Sequence, residues 1–186
     1  RRPERGRLRP PELGSRDADV ISEVGVVAIT GQDDVFLGTM EDHARVGVPR
    51  AKLRPVVVGD EVRDWGIAGT TWGLFPYDDS LVPALGDSEH RVLWPYRALL
   101  GRGVVFGKTR SERGMKWFEY AMLMSAKLKT KLSITFSFVA THNHFALDRS
   151  GTIFNRSAPV IKLPSDSTLD DHHALAILRS IVAKLE

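Results

Sequence analysis

The chain has 186 residues, of which 42% are hydrophobic and 26% charged, a composition typical of one folded domain with or without an appendage. The chain has no cysteine, which excludes a disulfide framework, a thiolate nucleophile, an iron–sulfur cluster and a cysteine-ligated zinc site. Because a chain without cysteine fits a reducing compartment, a cytoplasmic location is expected. No apolar run is long enough for a membrane span, so we expect no membrane association.

The N-terminal residues 1–19 are rich in arginine and proline and are expected to form a disordered tail or linker. Residues 20–186 are expected to form the folded domain. The first residue is Arg1 and the first methionine is Met40. From this start we expect the chain to be a piece of a longer protein.

The first half of the chain is predicted to consist mainly of short strands. Short β-rich segments are separated by turn-forming Gly, Asp and Pro residues, and they cover 24–29, 35–37, 55–58 and 72–75. Residues 78–90 are predicted to form a polar loop. A short helix is predicted at 91–100, with Pro95 as its weak point. Trp65 and Trp117 are expected in the core.

The second half alternates between helix and strand. Apolar residues recur at helical spacing and predict a helix that packs on the next strand; they are Trp117, Ala121, Met124 and Leu128. Residues 132–140 alternate between apolar and polar, which predicts a strand. A hairpin is predicted around 148–151, a further strand at 160–163, and a final helix after 167–170. The fold class is therefore α+β, with mixed, mostly antiparallel short-stranded sheets and a few packed helices.

Charge is unevenly distributed along the chain. Residues 17–96 carry 14 acidic against six basic residues, whereas residues 97–131 carry nine basic against two acidic ones. Such a basic block indicates a surface for a polyanion, although a solvated helix face gives the same pattern. We call its cations the basic block: Arg97, Arg102, Lys108, Arg110, Arg113, Lys116, Lys127, Lys129 and Lys131.

Two histidines form the most suggestive local motif. His142 and His144 point to the same face of a strand, and with Asp148, His172 or His173 they could bind a metal or form a nuclease site. No carboxylate-rich set accompanies them. We therefore expect no metal, and a metal-dependent nuclease is kept as a remote alternative.

Two motifs of cofactor-using proteins are incomplete in this chain. Residues 107–109 read Gly-Lys-Thr, but the first glycine of a phosphate loop is replaced by Arg102. Residues 75–77 and 94–96 contain the Pro-Tyr pair of the NPPY loop of amino-methyltransferases, without the amide or carboxylate that must precede it. We therefore expect no cofactor in this chain and no methyl transfer by the chain alone.

Several longer stretches of the sequence resemble those of a known protein family. They are FGKTRSERGMKWFEY (106–120), LSITFSFVATHNHFALDRSGTIF (132–154) and SAPVIKLP (157–164), with GVVAITGQDDVFLG (25–38) and LWPYRALL (93–100) upstream. Over about residues 24–178 the sequence closely resembles the region that follows the catalytic domain in the large adenine-specific DNA methyltransferases of phage-growth-limitation (BREX-type) defence systems. It is also similar to the target-recognition domains of Eco57I-like and TaqI-like enzymes.

The resemblance implies a DNA target-recognition module that is not catalytic alone, in a restriction-modification-like system. It also implies that the domain is incomplete at its C-terminal end. The implied partners are double-stranded DNA, the methyltransferase catalytic domain, which would hold S-adenosylmethionine, and other phage-defence proteins. The basic block would contact phosphates. Residue type and expected exposure suggest the base readers: Gln32, His142, Asn143, His144 and Arg149. The alternative is a protein-interaction or structural fragment that packs on a catalytic partner, for which the acidic residues 17–96 are suited.

Overall fold

A computed structural model describes residues 23–63, 65–129, 132–141 and 144–162. Their strands are β1 Glu23–Gly25, β2 Ala28–Ile29, β3 Leu37–Gly38, β4 Leu53–Val57, β5 Val62–Arg63, β6 Gly66–Ile67, β7 Trp72–Leu74, β8 Val104–Val105, β9 Lys108–Thr109, β10 Met122–Leu123, β11 Ser133–Phe136, β12 Phe145–Asp148, β13 Ile153–Phe154 and β14 Val160–Lys162. The predicted tail at 1–19 and the predicted final helix lie outside the described residues.

Short helices connect the strands. The α-helical segments are Asp33–Phe36, Met40–Arg45, Asp87–Leu93, Arg97–Arg102 and Ser125–Lys129. Single 3-10 turns occur at Arg50–Lys52, Gly59–Glu61, Trp94–Tyr96 and Ser111–Arg113. Among the described residues, no helix has both the length and the apolar composition needed to cross a membrane.

Two four-stranded sheets organise the fold. One is antiparallel with the strand order β1-β14-β11-β12, and the other has the order β13-β4-β7-β3 with a parallel pair between β13 and β4. Two-stranded antiparallel ribbons join β2 to β10, β5 to β6, and β8 to β9. The predicted α+β class with short, mostly antiparallel strands is therefore confirmed.

Two hydrophobic cores lie between these elements. The first is centred on fully buried side chains of both halves of the chain, namely Phe36, Leu74, Leu93, Leu100 and Tyr120. The second is built from Val27, Val62, Phe154, Ala158 and Val160. Leu128 packs against both clusters. It therefore couples the helix Ser125–Lys129 to both cores.

The helix predicted at 91–100 is observed as two helices with a 3-10 turn between them. The first helix, Asp87–Leu93, begins inside the predicted polar loop, and the second is Arg97–Arg102. Pro95 lies at the start of the intervening turn Trp94–Tyr96. Proline is tolerated there because its missing N–H has no helical acceptor in the first turn.

The helix predicted at 117–128 is wrong, because only Ser125–Lys129 is helical in that region. Three backbone N–H groups donate to distant partners and not to a carbonyl one helical turn back: Tyr120 to the Tyr77 hydroxyl at 2.9 Å, Ala121 to Thr30 at 3.3 Å, and Met124 to Val27 at 2.9 Å. The Met124 side chain is 36% exposed. Tertiary hydrogen bonds thus override the helical spacing of the apolar residues.

The hairpin predicted around 148–151 is also wrong. β12 pairs with β11, with Ser133 opposite Asp148, whereas β13 pairs in parallel with β4. The Asp148 carboxylate accepts backbone N–H groups of residues 150–152, which turns the chain out of the β12 ladder. Ile153 and Phe154 are then buried, one in each core.

Candidate nucleic-acid interface

A shallow groove gathers two cations of the basic block beside exposed indole surface. Trp94, Arg97, Arg102 and Trp117 line this cavity of about 470 Å³. The Arg97 guanidinium carbon lies 5.0 Å from the centroid of the Trp94 ring, and the Trp117 ring meets that ring edge-on at 6.1 Å. The residues that line the groove include no carboxylate. Charge and aromatic surface are thus combined as in sites that bind phosphates and bases.

A second pair of cations lies at the β8–β9 hairpin and the 3-10 turn Ser111–Arg113 that follows it. Lys108 lies in β9 and is exposed, next to the hairpin tip at Phe106. The guanidinium carbon of Arg113 lies 6.0 Å from the centroid of the Phe106 ring. Arg113 also donates to the Ala121 carbonyl at 2.6 Å. This hydrogen bond to the Ala121 carbonyl holds the guanidinium beside the hairpin tip.

Other cations of the basic block lie on the surface. Lys116 and Lys129 are exposed, and the Lys116 ammonium lies 6.0 Å from the centroid of the Phe118 ring. Lys131 lies outside the described residues. Six members of the basic block are therefore exposed or half-buried in the described part of the chain: Arg97, Arg102, Lys108, Arg113, Lys116 and Lys129.

The two carboxylates within residues 97–131 are held by local hydrogen bonds. Glu112 accepts the backbone N–H and the hydroxyl of Thr109 at 2.7 and 2.8 Å, and these bonds lower the pKa of Glu112. Glu119 accepts the backbone N–H of Lys116 at 2.6 Å. Both carboxylates are therefore committed to local turns within the basic block.

Arg110 is a structural residue, which corrects its assignment as a phosphate ligand. Its side chain is only 2% exposed, and its guanidinium donates to the backbone carbonyls of Glu119 at 2.8 Å, Thr30 at 2.8 Å, and Leu100. Burial lowers the pKa of the guanidinium. Three chain segments therefore converge on Arg110, and its charge is not available to a ligand.

Lys127 is likewise buried, and the structure corrects its assignment too. Its side chain is 5% exposed, and its ammonium nitrogen lies 3.1 Å from a carboxylate oxygen of Glu23. The same nitrogen donates to the Val26 carbonyl at 3.4 Å. Lys127 thus ties the helix Ser125–Lys129 to the first strand.

Three of the five predicted base readers lie in the described residues, and two of these three flank β12 at opposite ends. His144 lies directly before β12 and is half-buried, and Arg149 lies directly after it and is exposed. At about 3.3 Å per residue, the strand separates their backbones by roughly 16 Å. Gln32 is half-buried at the start of the helix Asp33–Phe36. His142 and Asn143 lie outside the described residues, so their roles stay predictions.

Asp148 holds the turn that presents Arg149, a role that the sequence analysis missed. One carboxylate oxygen accepts the N–H and hydroxyl of Ser150 at 3.2 and 2.6 Å, and the other accepts the N–H groups of Gly151 and Thr152, both at 3.1 Å. An aspartate that bonds the backbone just after it is the usual signal of such a turn. Asp148 is therefore a positioning residue for Arg149.

Replacement of Asp148 by alanine is expected to destabilise this turn. Three backbone N–H groups lose their acceptor, which costs about 1–3 kcal/mol of the free energy of unfolding. Thermal unfolding measures this loss. Arg149→Lys is the control, because it keeps a long cationic side chain at this position and leaves the Asp148 carboxylate and its turn intact, so its Tm is expected to stay close to that of the wild type. An unchanged Tm for Asp148→Ala would contradict the role of the carboxylate.

No group of three histidine, aspartate or glutamate side chains in the described residues is placed to hold a metal ion. One histidine of the predicted pair, His142, lies outside those residues. The metal-dependent nuclease therefore stays an untested prediction.

Comparison with known proteins relates the chain to methyltransferases. The chain matches no family model. It is 37% identical over 168 residues to the adenine-specific methyltransferase PglX of Streptomyces coelicolor, a match that covers 88% of this chain and 14% of that protein. Its fold is similar to part of the Type IIL restriction-modification enzyme MmeI, solved in complex with DNA, with a TM-score of 0.52, 16% identity, and coverage of 78% of this chain and 19% of that one. The chain is therefore homologous to a segment of an adenine-specific methyltransferase and shares its fold with part of a restriction-modification enzyme.

Proposed function

We propose that the chain is the DNA target-recognition module of an adenine-specific (N6) DNA methyltransferase in a bacterial phage-defence system of the BREX type. The observation that carries the proposal is the groove in which Arg97 and Arg102 lie beside the exposed Trp94 ring, with no carboxylate in its lining. Homology to a segment of a methyltransferase supports it. Cytoplasmic location follows from this function.

In this function the exposed cations bind phosphates and fix the register of the protein on the duplex. Arg149, at the tip of the turn held by Asp148, reads base edges from one end of β12, and His144 does so from the other end. The target adenine leaves the helix and enters the catalytic domain, where S-adenosylmethionine is bound. This chain supplies the position and the sequence preference, and the catalytic domain transfers the methyl group.

A second candidate function is a protein-interaction module that packs on a catalytic partner. Tyr96 and Leu99 favour it, because both are large side chains that are exposed in the same helical segment as the groove residues Arg97 and Arg102. Apolar surface of this kind usually belongs to an interface. The two functions differ in their response to cation removal.

The paired variant Arg97→Gln/Arg102→Gln tests the proposed function. Loss of two phosphate contacts is expected to weaken duplex binding on all sequences and to flatten the log–log salt dependence by about 2. The matched control is Arg45→Gln/Arg63→Gln, which removes two exposed arginines from the acidic residues 17–96. We expect the control to bind as the wild type does. Equal losses in both double variants would contradict a specific role for the groove.

A further inference from the structure

Phe106 occupies a strained and exposed position at the tip of the β8–β9 hairpin. Its φ of +54° lies in the left-handed region, as does that of Gly107 at +76°. Two positive φ angles in a two-residue loop are the pattern of a type I′ turn, in which Asn-Gly is the preferred pair. A phenylalanine there costs backbone energy, and its ring is 73% exposed.

Strain combined with exposure indicates that the ring serves a purpose outside the fold. Inside the chain, the ring contact found in the described residues is the Arg113 guanidinium at 6.0 Å. Lys108 follows the ring by two residues on the same hairpin, and the Arg113 guanidinium lies beside the ring. The nearby carboxylate of Glu112 is bonded to Thr109 on the strand that follows the tip.

We propose that Phe106 is a DNA wedge, a ring that inserts between adjacent base pairs while Lys108 and Arg113 hold the phosphates on either side. This inference rests on the proposed DNA-binding function and assigns a specific contact to it. Insertion removes an exposed ring from water, partly unstacks one base step and kinks the duplex. The strained turn keeps the ring pointing away from the fold before DNA arrives, so little ordering is needed on binding.

Trp65 is the nearest competitor for such a role. It lies at the tip of the β5–β6 ribbon with a φ of +65° and is 59% exposed, which corrects the prediction that it is in the core. Its backbone N–H donates to the Phe145 carbonyl at 3.1 Å, which ties the tip to β12. It also lies within the acidic residues 17–96, where phosphates are repelled. The charge around Phe106 therefore favours Phe106 as the wedge.

Phe106→Asn tests the wedge in the complete 186-residue chain. Asparagine suits a left-handed position, so the Tm is expected to be equal to or above that of the wild type. Affinity for a duplex of 20 base pairs is expected to fall about tenfold, as for loss of one base–aromatic stack. The salt slope is expected to be unchanged, because no cation is removed. The fluorescence of a duplex that carries 2-aminopurine is expected to increase when the wild type binds and not when the variant binds, because the fluorescence of this base rises when it is unstacked.

Two further variants make the test specific. Val104→Thr removes exposed apolar surface from the same hairpin without touching a ring, and we expect it to bind as the wild type does. Phe106→Trp keeps a ring at the tip and is expected to retain the 2-aminopurine signal. If the wild type binds the duplex and Phe106→Asn matches it in affinity and fluorescence, the wedge is overturned; the proposed function then stands if Arg97→Gln/Arg102→Gln still weakens binding. If the wild type binds no duplex, the proposed function fails together with the wedge.

Discussion

Duplex DNA bound to this protein is expected to dissociate as salt rises, with a roughly 40-fold loss of affinity between 50 and 200 mM. Six cations of the basic block are exposed or half-buried in the described residues. If about half of them touch phosphates, counterion release gives a log–log slope of about −2.7. Fluorescence anisotropy of a labelled duplex across this salt range measures the slope.

The arginine-rich N-terminal residues would distort this measurement. Residues 1–16 carry six arginines against two glutamates, so we expect them to attract phosphates through their charge alone. The measurement therefore uses a chain that begins at Ser15, with the complete chain beside it as the control. A slope near zero for the shorter chain, with a steep slope for the complete one, would show that the tail and not the basic block binds phosphates.

Arg110→Met is expected to cause the largest loss of stability among single substitutions in the basic block. The backbone carbonyls of Glu119, Thr30 and Leu100 lose a charged donor in a buried setting. Such a loss costs about 3–5 kcal/mol of the free energy of unfolding. For a domain of this size that corresponds to a Tm about 10 °C lower. Thermal unfolding followed by circular dichroism measures it.

Arg102→Met is the matched control for Arg110→Met. Arg102 is exposed in the groove, so its replacement is expected to change the free energy of unfolding by at most about 0.5 kcal/mol. It is expected to weaken duplex binding, in contrast to its small effect on stability. The reverse pattern, in which Arg110→Met keeps the Tm and loses DNA affinity, would restore Arg110 as a phosphate ligand and contradict its place in the fold.

The elements that could be predicted from the sequence are those set by local chemistry. Strands β11 and β14 follow alternation and β-branched composition, and Pro95 interrupts a helical segment, as its missing N–H requires. The failures occur where distant groups decide the structure. The backbone of residues 120–124 bonds to Tyr77, Thr30 and Val27. The helical spacing of the apolar residues in this segment does not reveal any of these distant partners.

For the candidate site, the sequence predicts charge but not burial. Counting cations identifies the basic block, yet nothing local distinguishes Arg110 and Lys127, which are buried, from Arg102, which is exposed. The Phe106 tip did have a signal that we missed. Two β-formers before Phe-Gly, Val104 and Val105, and a third shortly after it, Thr109, indicate a hairpin with a two-residue loop. An aromatic residue in place of the usual asparagine marks an unusual turn.

Direct binding of duplex DNA is the measurement that tests the central claim. The chain that begins at Ser15 is titrated against a labelled duplex of 20 base pairs at about 20 mM salt, where counterion release favours the complex most. We expect saturable binding that Arg97→Gln/Arg102→Gln weakens and Arg45→Gln/Arg63→Gln does not. Absence of binding at this salt concentration would contradict the DNA-recognition function, and the protein-interaction function would take its place.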